Sequence, residues 1–183
     1  MSISDRLRWD QRYAERQLDP VGEVGVPLIL AGCEDLLPSA GLALEVACGR
    51  GQAALWLADR GMQVHAVDVS PVVISQAQAA SPRGGYAQRI RFEVFDLDQG
   101  LPPGPPCALL LCENFRDARL DAPMLQRLAP GGILAISALS EVGSAHPSPF
   151  RVQAGELRRA FASLEQIAEG ERDGRAWLVG RRR

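Results

Sequence analysis

From Leu42 onward, short apolar runs alternate with segments of helical pattern, and this rhythm restricts the fold more than any other feature of the chain. The runs are LALEVA (42–47), QVHAVD (63–68), IRFEVF (90–95), CALLLC (107–112) and ILAISA (133–138). Near-continuous Val, Ile and Leu is the pattern of strands covered on both faces of a parallel sheet, whose crossovers are helices. Ser70-Pro71 places an N-cap before a proline at the first helical position and predicts a helix through about Ala80. Pro130-Gly131-Gly132 predicts the stop of a helix that begins near Asp121. After the fifth run come a polar loop, SEVGSAHPSPF, a short helix near QAGELRRAF, and two strand-like runs at 164–168 and 175–180 joined by the hairpin signal Asp173-Gly174. The expectation is an α/β chain with a seven-stranded, mostly parallel sheet, helices on both faces and a C-terminal antiparallel hairpin. Ahead of the first strand, Trp9 and Tyr13 lie four apart on a predicted helix, and 27–37 reads as a second one. LPPGPP (101–106) is a stiff connector rather than a boundary, so residues 1–183 read as a single domain, with N-terminal helices over 1–40 and the α/β core over 41–183.

Composition narrows the function. A chain of 183 residues with 46% apolar and 23% charged content suits one hydrophobic core. Its formal charge of -2 gives no overall positive field for nucleic acid or anionic lipid, so the expected partner is a small molecule; oligomeric state is not legible. No apolar run approaches the roughly 20 residues of a membrane span, and MSISDRLRWD is too polar for a secretory signal, which points to the cytoplasm. Every one of the 20 basic residues is arginine, which excludes phosphate-loop, Schiff-base and kinase-type lysines. Cys33, Cys48, Cys107 and Cys112 form no C-x-x-C pair, and with two histidines no metal site is expected; reduced, buried thiols are.

The loop after the first strand carries the chemistry. Gly49 and Gly51 let a ligand approach the backbone, and the helix beginning near Gln52 aims amide groups and partial positive charge at the same point, where an anionic group is expected. GRGQAA also satisfies the dinucleotide pattern G-x-G-x-x-A, and Asp68 ends the second strand 19 residues after Gly49, where a ribose-binding acid belongs. Glu45 shifts the balance: at roughly 6 Å and an effective dielectric near 20 it contributes on the order of 3 kcal/mol, repulsive to a pyrophosphate and attractive to an ammonium. Pairing of Glu45 with Arg50 or Arg60 for the fold alone is the competing reading, since an unpaired buried carboxylate is costly.

The stretch LEVACGRGQAALWLADRGMQVHAVDVSPVVISQAQ resembles the first motif and second strand of class I S-adenosylmethionine-dependent methyltransferases, with Ala47 where the first glycine of D/E-x-G-x-G-x-G usually stands. LAPGGILAIS is similar to the segment before and through the family's fifth strand, while RWDQRYAE and PFRVQAGELRRAF resemble the tellurite-resistance branch. The resemblance implies a Rossmann-like fold and S-adenosylmethionine as cofactor. It implies that Glu45 faces the methionine ammonium, that Ala47, Cys48, Gly49, Arg50 and Gly51 wrap the methionine end, that Asp68 grips the ribose hydroxyls and Val69 packs on the adenine. It further implies that Asp96 reads the adenine amino group beside Leu97, and that Cys112 closes the donor side. For Asp96 a plain loop cap is the alternative. Past Cys112, Glu113 and Asn114 are also candidates for the donor side, and Phe115 and Arg116 for the acceptor side, since ligands bind outside the carboxyl ends of such strands. No catalytic base is identified: His146 is a candidate in an ordinary loop, and Arg116, Arg151 and Arg175 are candidate anion binders that read equally as surface charges. Trp9 and Tyr13 either cover the cofactor or pack their helix on the core. The competing functions are a non-catalytic cofactor-binding module and an NAD-dependent oxidoreductase.

Overall fold

The computed structural model describes residues 3–15, 25–81, 85–146, 148 and 150–183; residues 16–24, within the expected N-terminal helices, lie outside them. The chain divides into two compact units, Met1–Pro27 with Ser39–Gly104, and Leu28–Pro38 with Pro105–Arg183.

In the first unit, β1 (Leu42–Val46), β2 (Gln63–Asp68) and β3 (Ile90–Val94) run parallel in the order β3-β2-β1. Glu45 lies opposite Ala66, and Asp68 opposite Val94, so the carboxyl ends of the strands are in register. The helices of this unit are α1 (Ile3–Glu15), α2 (Gln52–Asp59) and α3 (Pro71–Ala80). α2 and α3 pack on β2 and β3, and the buried residues Leu44, Val46, Leu55, Leu57, Val67 and Val73 form the core. Ser70 caps α3 by accepting a hydrogen bond from the Val73 N–H at 3.3 Å, with Pro71 at the first helical position, as the sequence dictates.

The second unit holds β4 (Cys107–Cys112), β5 (Leu128–Leu139), β6 (Glu165–Arg172) and β7 (Arg175–Arg181), with α4 (Asp121–Arg127) and α5 (Glu156–Ala160). β4 and β5 are parallel, while β7 runs antiparallel to β5 and to β6. Leu109, Leu110, Leu111, Leu134, Phe161 and Leu178 are buried in its core. The chain thus has the seven-stranded, mostly parallel, Rossmann-like architecture with an antiparallel C-terminal hairpin.

Two local expectations are corrected. Residues 27–37 form no α-helix; they make two 3-10 turns, Leu28–Leu30 and Glu34–Leu36, separated by Gly32 in the left-handed region at φ 80°. Pro130-Gly131-Gly132 does not stop a helix: α4 has already ended at Arg127, and the three residues belong to β5. The Gly131 N–H donates to the Arg182 carbonyl and the Arg182 N–H to the Gly132 carbonyl, so the segment is tied as strand by a partner some 50 positions away. A side chain at Gly132 would meet the Cys107 carbonyl at 2.9 Å, which is why glycine stands there.

Candidate cofactor site

The site of the first unit lies where β1 and β2 end. Glu45 is 5% exposed on β1, one residue before the strand turns away. Its Oε2 atom is buried and receives no hydrogen bond, although the residue has interactions of its own. Ala47 then takes φ 54°, left-handed for a residue with a Cβ, and Gly49 (φ 53°) and Gly51 (φ 71°) follow. The left-handed conformation costs an alanine roughly 1–2 kcal/mol, so the loop holds Ala47 there at the expense of backbone strain. The glycines are needed for approach as well as for φ. A Cβ on Gly51 would fall 2.5 Å from the Phe92 ring of β3, and one on Gly49 would sit 3.4 Å from the Tyr13 hydroxyl.

The loop's amide groups are largely engaged within the unit. The Cys48 N–H donates to the Val67 carbonyl at 3.0 Å, the Gly51 N–H to the Cys48 carbonyl at 3.0 Å, and the Gly49 N–H to Asp68 Oδ2 at 3.0 Å. The other oxygen of Asp68, Oδ1, accepts the Ser70 N–H at 3.0 Å. Asp68 is 6% exposed; burial pushes its carboxyl above the ordinary range, the backbone bonds from Ser70, Gly49 and Val69 act against that, and Asp10 adds to it. A carboxylate offers about four lone-pair sites, so capacity for a diol remains. The Cys48 thiol is buried, and burial first, then the charges of Glu45 and Asp68, hold it well above its usual value, so it is no nucleophile.

Val69 is buried beside Asp68, and Leu97 is buried after β3. Asp96 Oδ1 accepts the Asp98 N–H at 3.0 Å and caps the 3-10 turn Leu97–Gln99, the loop-capping role weighed for it. Arg50 is partly buried in the loop. Sequence reasoning left one partner unnoticed: the Ser70 hydroxyl donates to Asp10 Oδ1 of α1. The signal was present, since Trp9, Asp10 and Tyr13 share one helix face at spacings of one, three and four.

In the second unit, Cys112 is fully buried at the end of β4 with its Sγ directed at the Phe115 carbonyl, 3.4 Å away. Glu113 receives the Ile29 N–H and the field of Arg175, both of which lower its carboxyl pKa, yet burial dominates and raises it. Asn114 takes φ 56°; its N–H donates to Ser137 Oγ at 3.0 Å and its Oδ1 accepts from Arg175 Nη1 at 2.5 Å. Two of the candidate anion-binding arginines are otherwise employed. Arg116, 10% exposed, donates to both oxygens of Asp121 at 2.5 and 2.9 Å and through Nε to Glu156 at 3.0 Å, and these carboxylates hold its pKa up against burial. Arg151 donates to the Ser140 and Gly174 carbonyls at 2.7 and 3.2 Å. His146 is exposed in its loop. Among the described residues, no group of His, Cys, Asp and Glu is placed to hold a metal ion.

Comparison with known proteins agrees with this geometry. Residues 43–132 match the family model of a methyltransferase domain. A Synechococcus sp. protein is 31% identical over 165 residues, covering 85% of this chain, which itself spans 37% of that protein's length. Among solved structures, TehB from Haemophilus influenzae is similar with a TM-score of 0.70 and 16% identity, over 85% of this chain and 61% of TehB. The magnesium protoporphyrin IX methyltransferase of Synechocystis PCC 6803, solved with bound S-adenosylmethionine, is similar with a TM-score of 0.65 and 16% identity, over 100% of this chain and 99% of that one. A methyltransferase domain thus matches residues 43–132, and the chain shares its fold with solved S-adenosylmethionine-dependent methyltransferases.

Proposed function

We propose that the chain transfers a methyl group from S-adenosylmethionine to a small-molecule acceptor. One arrangement carries the reading: a buried glutamate, a left-handed glycine loop and a buried aspartate held by the loop's own backbone meet at the carboxyl ends of β1 and β2. The residues fit the cofactor's charges. Glu45 supplies a negative charge for the methionine ammonium, the bare backbone from Ala47 to Gly51 admits the methionine end, and Asp68 accepts the ribose hydroxyls. Val69 offers an apolar face to the adenine, and Asp96 with Leu97 lies at the third strand's end, where the adenine amino group is read. Cys112, at the end of β4, is assigned to the donor side on the family pattern alone. The two units are taken as one methyltransferase domain over 1–183, working in the cytoplasm, in keeping with four free, buried cysteines and with no described helix long and apolar enough to cross a membrane.

When bound, the cofactor supplies a methyl group on a positively charged sulfur, activated for in-line displacement. What the chain adds is position and charge. Asp68 is pre-oriented by two backbone N–H groups, and the loop is locked by its own hydrogen bonds, so little reorganisation accompanies binding. The small-molecule acceptor is supported by a neighbour named for magnesium protoporphyrin IX. A dinucleotide is disfavoured because the amides at 48, 49 and 51, which would cradle a pyrophosphate, are engaged.

Calorimetric titration with S-adenosylhomocysteine should give saturable binding, weakened about 100-fold or more in Asp68→Ala by loss of two charge-assisted hydrogen bonds. No binding to wild type at millimolar ligand would overturn the reading. Binding without transfer of a labelled methyl group to any acceptor in a small-molecule extract would leave a non-catalytic module.

A further inference from the structure

The second unit holds a pocket of about 250 Å³ at the amino ends of β4 and β5. Its lining includes Leu36, Leu37 and Pro38 from the segment ahead of β1, Ala108 of β4, Ile133 of β5, and Arg181 at the end of β7. Arg181 is the single charged residue among the described residues that line it. Along β4, Ala108 stands four residues before Cys112, about 13 Å of strand. The pocket is therefore at the end of the sheet opposite to the one where ligands of such folds bind, and it does not rest on the cofactor reading.

The arginine is what gives the pocket a chemistry. Arg181 is partly buried, and among the described residues its guanidinium has neither an ion pair nor a hydrogen bond. Its neighbour shows the contrast: the Arg182 guanidinium donates to the Gln126 and Leu128 carbonyls at the end of α4. Glu165 of β6 lies opposite Arg181 in register, but it is exposed and forms no ion pair with it among the described residues. Leu36 remains 51% exposed although it lines the pocket, so apolar surface and an unsatisfied cation share one cavity.

We propose that this pocket binds a small aliphatic carboxylate, its apolar body against Leu36, Leu37, Pro38 and Ile133 and its head on the Arg181 guanidinium. One cation balances one negative charge, and a guanidinium matches a carboxylate with two parallel hydrogen bonds. A doubly charged phosphate would keep a charge without a partner beside apolar walls. A cavity of about 150 Å³ takes a single benzene, so this larger one suits a body of about eight carbons.

The probe is octanoate, titrated into the full chain with amide chemical shifts as the readout, beside 1-octanol and octylamine, which keep the body and change the head. Octanoate should saturate in the millimolar range or below, with the largest shifts at Leu37, Ala108 and Ile133. 1-Octanol should bind about ten-fold more weakly, having lost the charge-assisted hydrogen bonds, and octylamine not measurably. Arg181→Gln should bring octanoate down to the level of 1-octanol. Ala108→Leu, by filling the space, should weaken both by about ten-fold or more. Thermal unfolding checks that the variants are folded. Should either fail, the three probes on wild type decide alone, since equal affinity for octanoate and 1-octanol would overturn the proposal. So would octanoate shifts centred on the first unit, unchanged octanoate binding in Arg181→Gln, or no saturation at tens of millimolar.

Discussion

The loop after β1 and the loop after β4 begin alike and then diverge. Each leaves the carboxyl end of a parallel strand through a non-glycine residue in the left-handed region, Ala47 at φ 54° and Asn114 at φ 56°. After Ala47 the first loop is bare of side chains where it turns, with Gly49 and Gly51, and its hydrogen bonds run from backbone to backbone or to Asp68. The second, Glu113 to Asp117, carries polar side chains that are drawn into ion pairs and turns: Arg116 on Asp121 and Glu156, Asn114 under Arg175, Asp117 on Arg119. The difference separates two ways of building a strand end. One exposes main chain, which suits a fixed ligand; the other is stabilised by charges that must be satisfied in place.

The largest effect should therefore come from breaking the second loop's ion pairs. Arg116→Leu leaves Asp121 and Glu156 without the guanidinium that pairs with both, and should destabilise the protein by about 3 kcal/mol in urea unfolding. S-adenosylhomocysteine affinity, on the reading that assigns the cofactor to the first loop, should change by less than about three-fold; a larger loss would show that the two loops do not divide the work in this way.

A pair of glycine substitutions asks whether the two left-handed residues are held for the same reason. Ala47→Gly relieves backbone strain and should stabilise the protein by about 0.5–1 kcal/mol. Asn114→Gly relieves less, because asparagine tolerates this region, and it removes the acceptor for Arg175, so it should destabilise by about 1 kcal/mol. Opposite signs in parallel denaturation curves would sharpen the contrast, and equal signs would erase it.

The last prediction is a slope, and here the loops should agree. Burial raises the carboxyl pKa of both Asp68 and Glu113. A raised native pKa means that the folded state holds its proton more tightly than the unfolded state. The stability from each group is thus complete below its unfolded pKa and lost as pH rises through the native one. Relative to Asp68→Asn or Glu113→Gln, wild type should lose stability as the pH rises above the ordinary carboxylate range of about 4, in the same direction for both. A gain with rising pH for either would contradict the burial that sets the shift.

Much of the first loop was legible because its requirements are local. A carboxylate in an apolar run, two glycines and an N-capping serine before proline act within a few residues of where they stand in the chain, and the aspartate closing β2 reaches back one strand–helix–strand unit to Gly49. The rest depended on distant partners. The segment Pro130-Gly131-Gly132 reads as a helix stop from local propensity, but its pairing to Arg182 makes it strand. Arg116 reads as a free charge until Glu156, 40 positions on, closes on it. Between residues 27 and 37 the apolar spacing is helical, and one left-handed glycine at position 32 divides it. Asp96 has both readings in its sequence, and its hydrogen bond to the Asp98 N–H satisfies the structural one.

The self-contained hydrogen bonding of the Ala47–Gly51 loop bears on any attempt to redesign it. Neutralising Glu45 would remove a repulsion toward phosphates without freeing the loop's own amide groups at 48, 49 and 51, which are turned inward on Val67, Asp68 and Cys48. Converting this chain to a nicotinamide cofactor is for that reason a matter of re-routing main chain, and charge substitutions at the mouth of the loop, in any number, leave that obstacle where it is.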